Sequence, residues 1–285
     1  MKNTFVHLRQ YSNYSLLESS FRINEIINLC KEYKMPAISL TDKQNLFGSF
    51  EFSLLAQKNG IQPIIGIDLE LKNINNYPKN SNILLLIKNY NGYKNVINLM
   101  NLFYNNKSNE PINLKDLENN KEGLICLSGG VKGPIGKSIL SKNISMTEQI
   151  SKDLFSIYEN NFFLELSRSG LDDEKITENS FITLANKFNI PVVATNNNYF
   201  SDGNMHEATD TLLCIKNTEK LSNSDREIIS KEFFFKSPDK MLEIFNDIPE
   251  AIDNTLLIAK KCSFLLEETS PILPKFLNST EDENN

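Results

Sequence analysis

Asp42, Asp68 and His7 are the residues of this sequence best suited to hold a catalytic metal. Carboxylates and imidazoles that converge on one face can bind a divalent ion and activate water for hydrolysis. Arg9 lies two positions from His7, however, and Lys43 directly follows Asp42. A fixed positive charge repels a metal ion. Two carboxylates with an arginine and a lysine therefore read better as an ion-pair network, Arg9 and Lys43 bridging to Asp42 and Asp68. Asp42 after Thr41 has a further use, as a cap on the turn at Gln44 and Asn45.

The other constellations are weaker. His206 and Asp210 stand at i, i+4 on one expected helix face, but the second histidine of a zinc helix is missing, and a packing or capping role for His206 is favoured. Gly129, Gly130, Gly133 and Gly136 precede a helix and suggest a phosphate cradle. Neither a GxGxxG pattern nor a Lys-Ser/Thr pair accompanies them, and a loop with positive φ angles explains them. Ser128 and Ser169 have no histidine with a reason to be near. Cys30, Cys126, Cys214 and Cys262 form no CxxC pair and lie in apolar stretches, so reduced core thiols are expected.

Short apolar runs alternate with amphipathic ones. Strands are expected at 4–8, 37–40, 61–71, 83–87, 124–128, 162–166 and 191–195, with a further short aromatic strand at 232–236. Helices are expected at 22–33, 47–59, 90–103, 145–158, 172–188 and 206–215, with two more opening at Pro238 and Asp247. Gly60 is placed as a helix stop and Pro36 ends the helix before it. This rhythm implies βαβ units, a largely parallel sheet and a closed α/β barrel, with a doubly wound sheet as the alternative. In such a barrel the working residues follow the strands, which singles out His7, Arg9, Tyr11, Asp42, Lys43, Asp68, Asn82, Ser169, Asn197 and Tyr199. Asn-rich patches at 73–82, 105–109 and 196–198 mark loops.

Lys and Arg number 30 against 36 Asp and Glu, a net charge of −6, which argues against a protein that grips nucleic acid by phosphate neutralisation. No apolar run approaches the ~18 residues of a membrane span, and no signal peptide opens the chain. A cytoplasmic location is expected.

Several segments resemble the bacterial replicative DNA polymerase III α subunits. They are Phe5-Val6-His7-Leu8-Arg9 with Ser12-Asn13-Tyr14-Ser15-Leu16-Leu17-Glu18, then Met35-Pro36-Ala37 and Thr41-Asp42-Lys43-Gln44-Asn45-Leu46-Phe47-Gly48. Gly60-Ile61-Gln62-Pro63-Ile64-Ile65-Gly66, Gly92-Tyr93-x-Asn95, Leu127-Ser128-Gly129-Gly130 and Pro191-Val192-Val193-Ala194-Thr195-Asn196 follow in order. His206-Glu207 and Asp247-Ile248-Pro249-Glu250-Ala251 complete the set. The resemblance runs from Phe5 to about Pro274 and is to the polymerase and histidinol phosphatase (PHP) domain.

It implies a distorted seven-stranded (β/α) TIM-like barrel over 1–275, with 276–285 as a disordered acidic tail. In metal-binding members a His-x-His pair follows the first strand, where this sequence has Arg9 and Tyr11. The other metal-site positions fall on Asp42, Lys43, Asp68, Asn82, Ser169, Asn197 and Tyr199. Asp42 and Asp68 alone keep ligand chemistry, so the resemblance implies a degenerate, metal-free domain. Such a domain would act as a scaffold and docking site for the proofreading exonuclease subunit within the polymerase holoenzyme, touching DNA weakly or indirectly. The Mg2+-dependent polymerase centre of these subunits lies beyond the last residue of this chain, which is expected to be a fragment or a truncated product. The alternative is a phosphoesterase or 3′–5′ exonuclease with a reduced Zn2+ or Mn2+ site on Asp42, Asp68 and His7.

Overall fold

The computed structural model describes residues 4–71, 78, 81–105, 112–223, 225–226, 228–268 and 270. The expected tail at 276–285 and most of the Asn-rich patches at 73–82 and 105–109 lie outside them. The elements in chain order are α1 (Ile23–Glu32), β1 (Ala37–Leu40), α2 (Ser49–Lys58), β2 (Gln62–Leu71) and β3 (Ser81–Ile87). Next come α3 (Tyr90–Asn105), α4 (Leu114–Asn119), β4 (Leu124–Leu127), α5 (Pro134–Leu140) and α6 (Ile144–Tyr158). The last are β5 (Phe162–Ser167), α7 (Asp172–Phe188), β6 (Val192–Thr195), α8 (His206–Asn217), α9 (Pro238–Ile244) and α10 (Pro249–Lys261). Among the described residues, no helix is long and apolar enough to cross a membrane.

The six strands form one curled sheet in sequence order. Three neighbouring pairs are parallel, but β3 runs antiparallel to both β2 and β4. The largely parallel sheet expected from the alternation of elements is therefore a mixed one. The cause is visible in the chain length: residues 72–80 join β2 to β3, fewer than the dozen or so that a parallel crossover needs. The segment 4–8 is extended but joins no ladder as a strand. It runs between the first and last strands, where Ser39 N donates to His7 O at 3.0 Å and Thr41 N to Gln10 O at 2.8 Å. Gln10 forms a lone parallel bridge with Asn198 on the other side. The expected aromatic strand at 232–236 reduces to a single bridge, Phe200 to Phe234.

Strand residues alternate between two apolar cores, as period-two side chains must. Ile65, Ile67, Leu85, Cys126 and Leu164 pack against the helices. Ile64, Leu84, Leu86, Leu127, Phe163 and Val193 face inward with Val6 and Leu8, and Ile258, Ala259 and Cys262 of α10 and its end complete that inner core. Burial on both faces explains why these strands read as near-continuous apolar runs. Asp68, Asn82, Glu165 and Thr195 continue the same inward rows beyond the apolar plug. Strand alternation thus places a polar floor at one end of the curled sheet.

Candidate functional site

That floor lines a cleft of about 420 Å3, in which Arg9, Tyr11, Lys43, Asp68, Asn82, Asn197 and Tyr199 come together. Seven of the positions singled out by sequence thus share one cavity. Glu165 lies among them.

Arg9 is the centre of the arrangement. Its Nη1 donates to Asp68 Oδ2 at 2.9 Å, and its Nε and Nη2 grip Glu165 Oε1 and Oε2 at 2.6 and 2.9 Å. The Tyr11 hydroxyl accepts from Arg9 Nη1 and donates to Asp68 Oδ2 at 2.7 Å. Asn82 Nδ2 donates to Asp68 Oδ1 at 3.1 Å, and Thr195 Oγ1 to Glu165 Oε1 at 2.7 Å. All of these side chains except the Asn82 amide are buried, so each polar group needs its partner. Burial works against the Arg9 charge, but Glu165, Tyr11 and Asp68 outweigh it and hold the guanidinium protonated well above its ordinary range. Burial also pushes the Tyr11 hydroxyl up, against the pull of Arg9. The expected Arg9–Asp68 pair is present.

Lys43 departs from expectation. It pairs with Glu18 and lies over the rings of Tyr11 and Tyr199, 5.7 and 5.4 Å from their centroids. Those two rings stack at 4.4 Å. Asp42 pairs with neither cation. It accepts from Ser12 N and Ser12 Oγ at 2.7 Å each and from Ser15 Oγ at 2.6 Å, capping the turn before it instead of the one after. Burial raises its carboxyl pKa against those bonds. Asp42 does not line the cleft, because Ser12 and Ser15 draw its carboxylate to themselves.

His7 is a core residue. Its ring sits between Phe5 and Phe235, at 4.8 and 4.5 Å, and its Nε2 donates to Lys236 O at 2.8 Å. Burial lowers its pKa to about 3. His7 is thus not among the residues that line the cleft with Asp68. Ser169 also turns away, its N and Oγ both donating to Glu174 at 2.6 Å near the start of α7. His206 Nε2 meets Ile229 O at 2.8 Å while Asp210 pairs with Arg226, so their helix spacing builds no joint site. All four cysteines are free and buried.

Among the described residues, no group of three or more His, Cys, Asp and Glu side chains could hold a metal ion. In the cleft, the two carboxylates closest to such a role share one guanidinium. Tyr11, Asn82, Asn197, Tyr199 and Lys43 add only neutral or cationic groups, and of the three further acids that line the cleft, Asp172, Asp173 and Glu174, Glu174 is held by Ser169 and Asp172 by Lys175. This donor set does not fit a divalent ion.

Glu165 is the residue that sequence reading passed over. The signal was available: one acid in the apolar run Phe162-Phe163-Leu164-Glu165-Leu166, where a buried charge demands a partner.

Residues 7–169, which supply most of the curled sheet, match the PHP domain family in sequence, and the chain belongs to that family. The relatives narrow it further. DNA polymerase III subunit alpha of Rickettsia bellii is 39% identical over 281 residues, covering 97% of this chain and 24% of the relative. The same subunit of Caulobacter vibrioides is 35% identical over 280 residues, covering 95% of this chain and 24% of the relative. The chain thus spans about a quarter of the length of the curated relatives it matches. Among solved structures, an amidohydrolase from Chromobacterium violaceum is similar at a TM-score of 0.45 and 12% identity, over 68% of this chain and 86% of that one.

Proposed function

We propose that this chain is the PHP domain of a replicative DNA polymerase III α subunit, serving DNA replication in the cytoplasm as a scaffold without a metal centre of its own. The observation that carries the reading is the Arg9 guanidinium between Asp68 and Glu165. A divalent ion and a guanidinium would compete for the same two carboxylates, and the guanidinium is covalently in place. The retained fold beside an altered site supports a structural task, since packing and chemistry draw on different residues.

In this reading the segment 4–11 acts as the seventh stave that closes a TIM-like barrel, and one domain extends over 1–275, with 276–285 as a polar tail. Arg9, Tyr11, Asp42, Lys43, Asp68, Asn82, Ser169, Asn197 and Tyr199 are the vestiges of a metal site. The partners are the rest of the α subunit and holoenzyme, and the separate proofreading exonuclease. DNA contact is weak, and Mg2+ belongs to the polymerase centre elsewhere in the subunit.

Metal content is the direct test. After exposure to Zn2+ and Mn2+ and desalting, the purified chain is expected to retain less than about a tenth of an equivalent by mass spectrometry. One or more tightly held equivalents would overturn the metal-free reading in favour of a Zn2+- or Mn2+-dependent phosphoesterase or exonuclease. Failure of the folded chain to co-elute with the cognate exonuclease would overturn the docking role separately.

A further inference from the structure

Next to the cleft, and sharing Lys43, Asn82 and Lys132 with it, lies a wider basin of about 840 Å3. Its lining combines two chemistries. Leu16, Phe47 and Tyr104 line it while 66%, 66% and 61% exposed. Lys132, Lys137 and Lys216 line it as well. Large apolar groups gathered at a polar depression are the usual mark of a contact surface.

Tyr104 is held through its hydroxyl and Phe47 through its backbone. The Tyr104 hydroxyl donates to Gln44 O at 2.7 Å. Phe47 N donates to Asn45 Oδ1 at 3.1 Å, and Asn45 Nδ2 is fixed in turn by Lys43 O and Tyr14 O at 2.8 and 3.0 Å. Beside Leu16, Leu17 adopts φ 58° and is itself exposed. That left-handed conformation ordinarily goes to glycine or asparagine. A turn that shows two leucines to solvent, one in a strained conformation, gains nothing for the core of this chain.

The charge of the basin is opposite to that of the molecule. Lys43, Lys132, Lys137 and Lys216 face Glu18 and Glu70 there, whereas the whole chain carries −6. Glu18 is engaged by both Lys43 and Lys216. Burial, and after it the neighbouring charge of Lys132, pull the Lys137 pKa down against the opposing charge of Glu70.

We propose that this basin docks an acidic segment of a partner protein, whose carboxylates meet Lys132 and Lys137 and whose bulky apolar side chains settle on Leu16, Phe47 and Tyr104. Charge complementarity of this kind sets specificity and encounter rate, while the buried anchors hold the complex. A single-stranded nucleic acid could stack on Phe47 and Tyr104 but fits less well, because its phosphates recur at every nucleotide and cannot avoid Glu18 and Glu70 as the spaced carboxylates of a peptide can, and Leu16 offers no ring to a base. The proposal goes beyond the scaffold reading and stands independently of metal content.

The test is a selection of random 12-residue displayed peptides on the full chain, followed by anisotropy titrations of the enriched peptides and of a 12-nucleotide oligothymidylate. Enriched peptides are expected to be acidic with aromatic or leucine anchors. Phe47→Ser and the pair Lys132→Glu, Lys137→Glu should each weaken them at least about tenfold. Ile144→Ser, at a 75% exposed position in a separate groove beside α6, should leave binding unchanged. Circular dichroism of each variant separates lost binding from lost folding, and Leu16→Ser serves as the second apolar variant. Failure to enrich acidic peptides, binding indifferent to these substitutions, or tighter binding of the oligonucleotide through the same residues would overturn the proposal.

Discussion

Arg9 and Glu165 meet through two parallel hydrogen bonds, 2.6 and 2.9 Å long, in surroundings that leave both side chains almost without solvent. Arg9 comes from the segment that runs between β1 and β6, and Glu165 from β5, the neighbour of β6. This fork holds the chain start to the sheet and replaces, with one fixed cation, the charge balance that two buried carboxylates require.

Removing one member of such a pair strands a buried charge. Arg9→Met is expected to cost about 3–5 kcal/mol of stability in urea denaturation. The double variant Arg9→Met, Glu165→Leu should recover at least about half of that loss, since Asp68 keeps its bonds from Tyr11 and Asn82. Costs that simply add would show the pair to be energetically uncoupled.

How far the site was legible depends on the range of each contact. Arg9 and Asp68 stood out as opposite charges at expected strand ends, and their pairing could be anticipated. Lys43 could not be assigned to Glu18, because that contact depends on the turn at 15–18 folding back over the loop after β1. Asp42 was claimed by Ser12 and Ser15, whose hydroxyls give no sequence signal beyond being polar. Glu165 was legible in principle, as a lone acid in an apolar strand. Helix positions followed from apolar spacing, as in α7, found at 172–188 as expected. The reversal of β3 was hidden, because an apolar run buried on both faces reads alike in either direction; its connection length was the available clue. The short helices α4 and α5 escaped because six or seven residues carry little periodicity.

His7 makes stability depend on pH in a definite direction. The Lys236 carbonyl can only accept, so Nε2 carries the proton, and the bare Nδ1 is buried with no partner. The folded pKa near 3 lies below the ordinary 6.5, so the unfolded chain binds a proton that the folded chain refuses. The contribution is fully present above 6.5 and is lost as pH falls from 6.5 towards 3, by about 1.4 kcal/mol per unit. Relative to the native chain, His7→Gln should show a flatter decline over that window in urea midpoints taken from pH 7 to pH 4. Parallel curves would mean that His7 is readily protonated in the folded state.

Gly129 and Gly130 both have positive φ, 83° and 57°, but differ in the space around them. A Cβ on Gly129 would sit 1.9 Å from the backbone O of Asn82, while on Gly130 the nearest group is Ser167 Oγ at 3.5 Å. Backbone cannot rotate aside as a side chain can. Gly130→Ala should cost about 1 kcal/mol from its left-handed conformation alone, and Gly129→Ala about 2 kcal/mol more from overpacking. Thermal unfolding of the two variants side by side reads the difference.

The PHP profile stops at residue 169, but the packing does not. The inner core depends on Val193 from β6 and on Ile258, Ala259 and Cys262. Thr255 Oγ1 accepts from Val6 N at 3.2 Å, and Asn254 Nδ2 donates to Val192 O at 2.7 Å, so α10 ties the start of the chain to the last strand. Arg168 adds a clamp, donating to Glu178 of α7 and to Asp247 just before α10. A piece ending at residue 170 would lose Thr195 from Glu165 and leave Phe163, Leu8 and Val6 without their cover. It is expected to collapse without fixed packing: helical by far-ultraviolet circular dichroism, bright with a hydrophobic dye, and without a cooperative thermal transition. A piece ending at residue 268 should melt in one sharp step. A cooperative transition in the shorter piece would show that β6 and the C-terminal helices are additions to a barrel already complete.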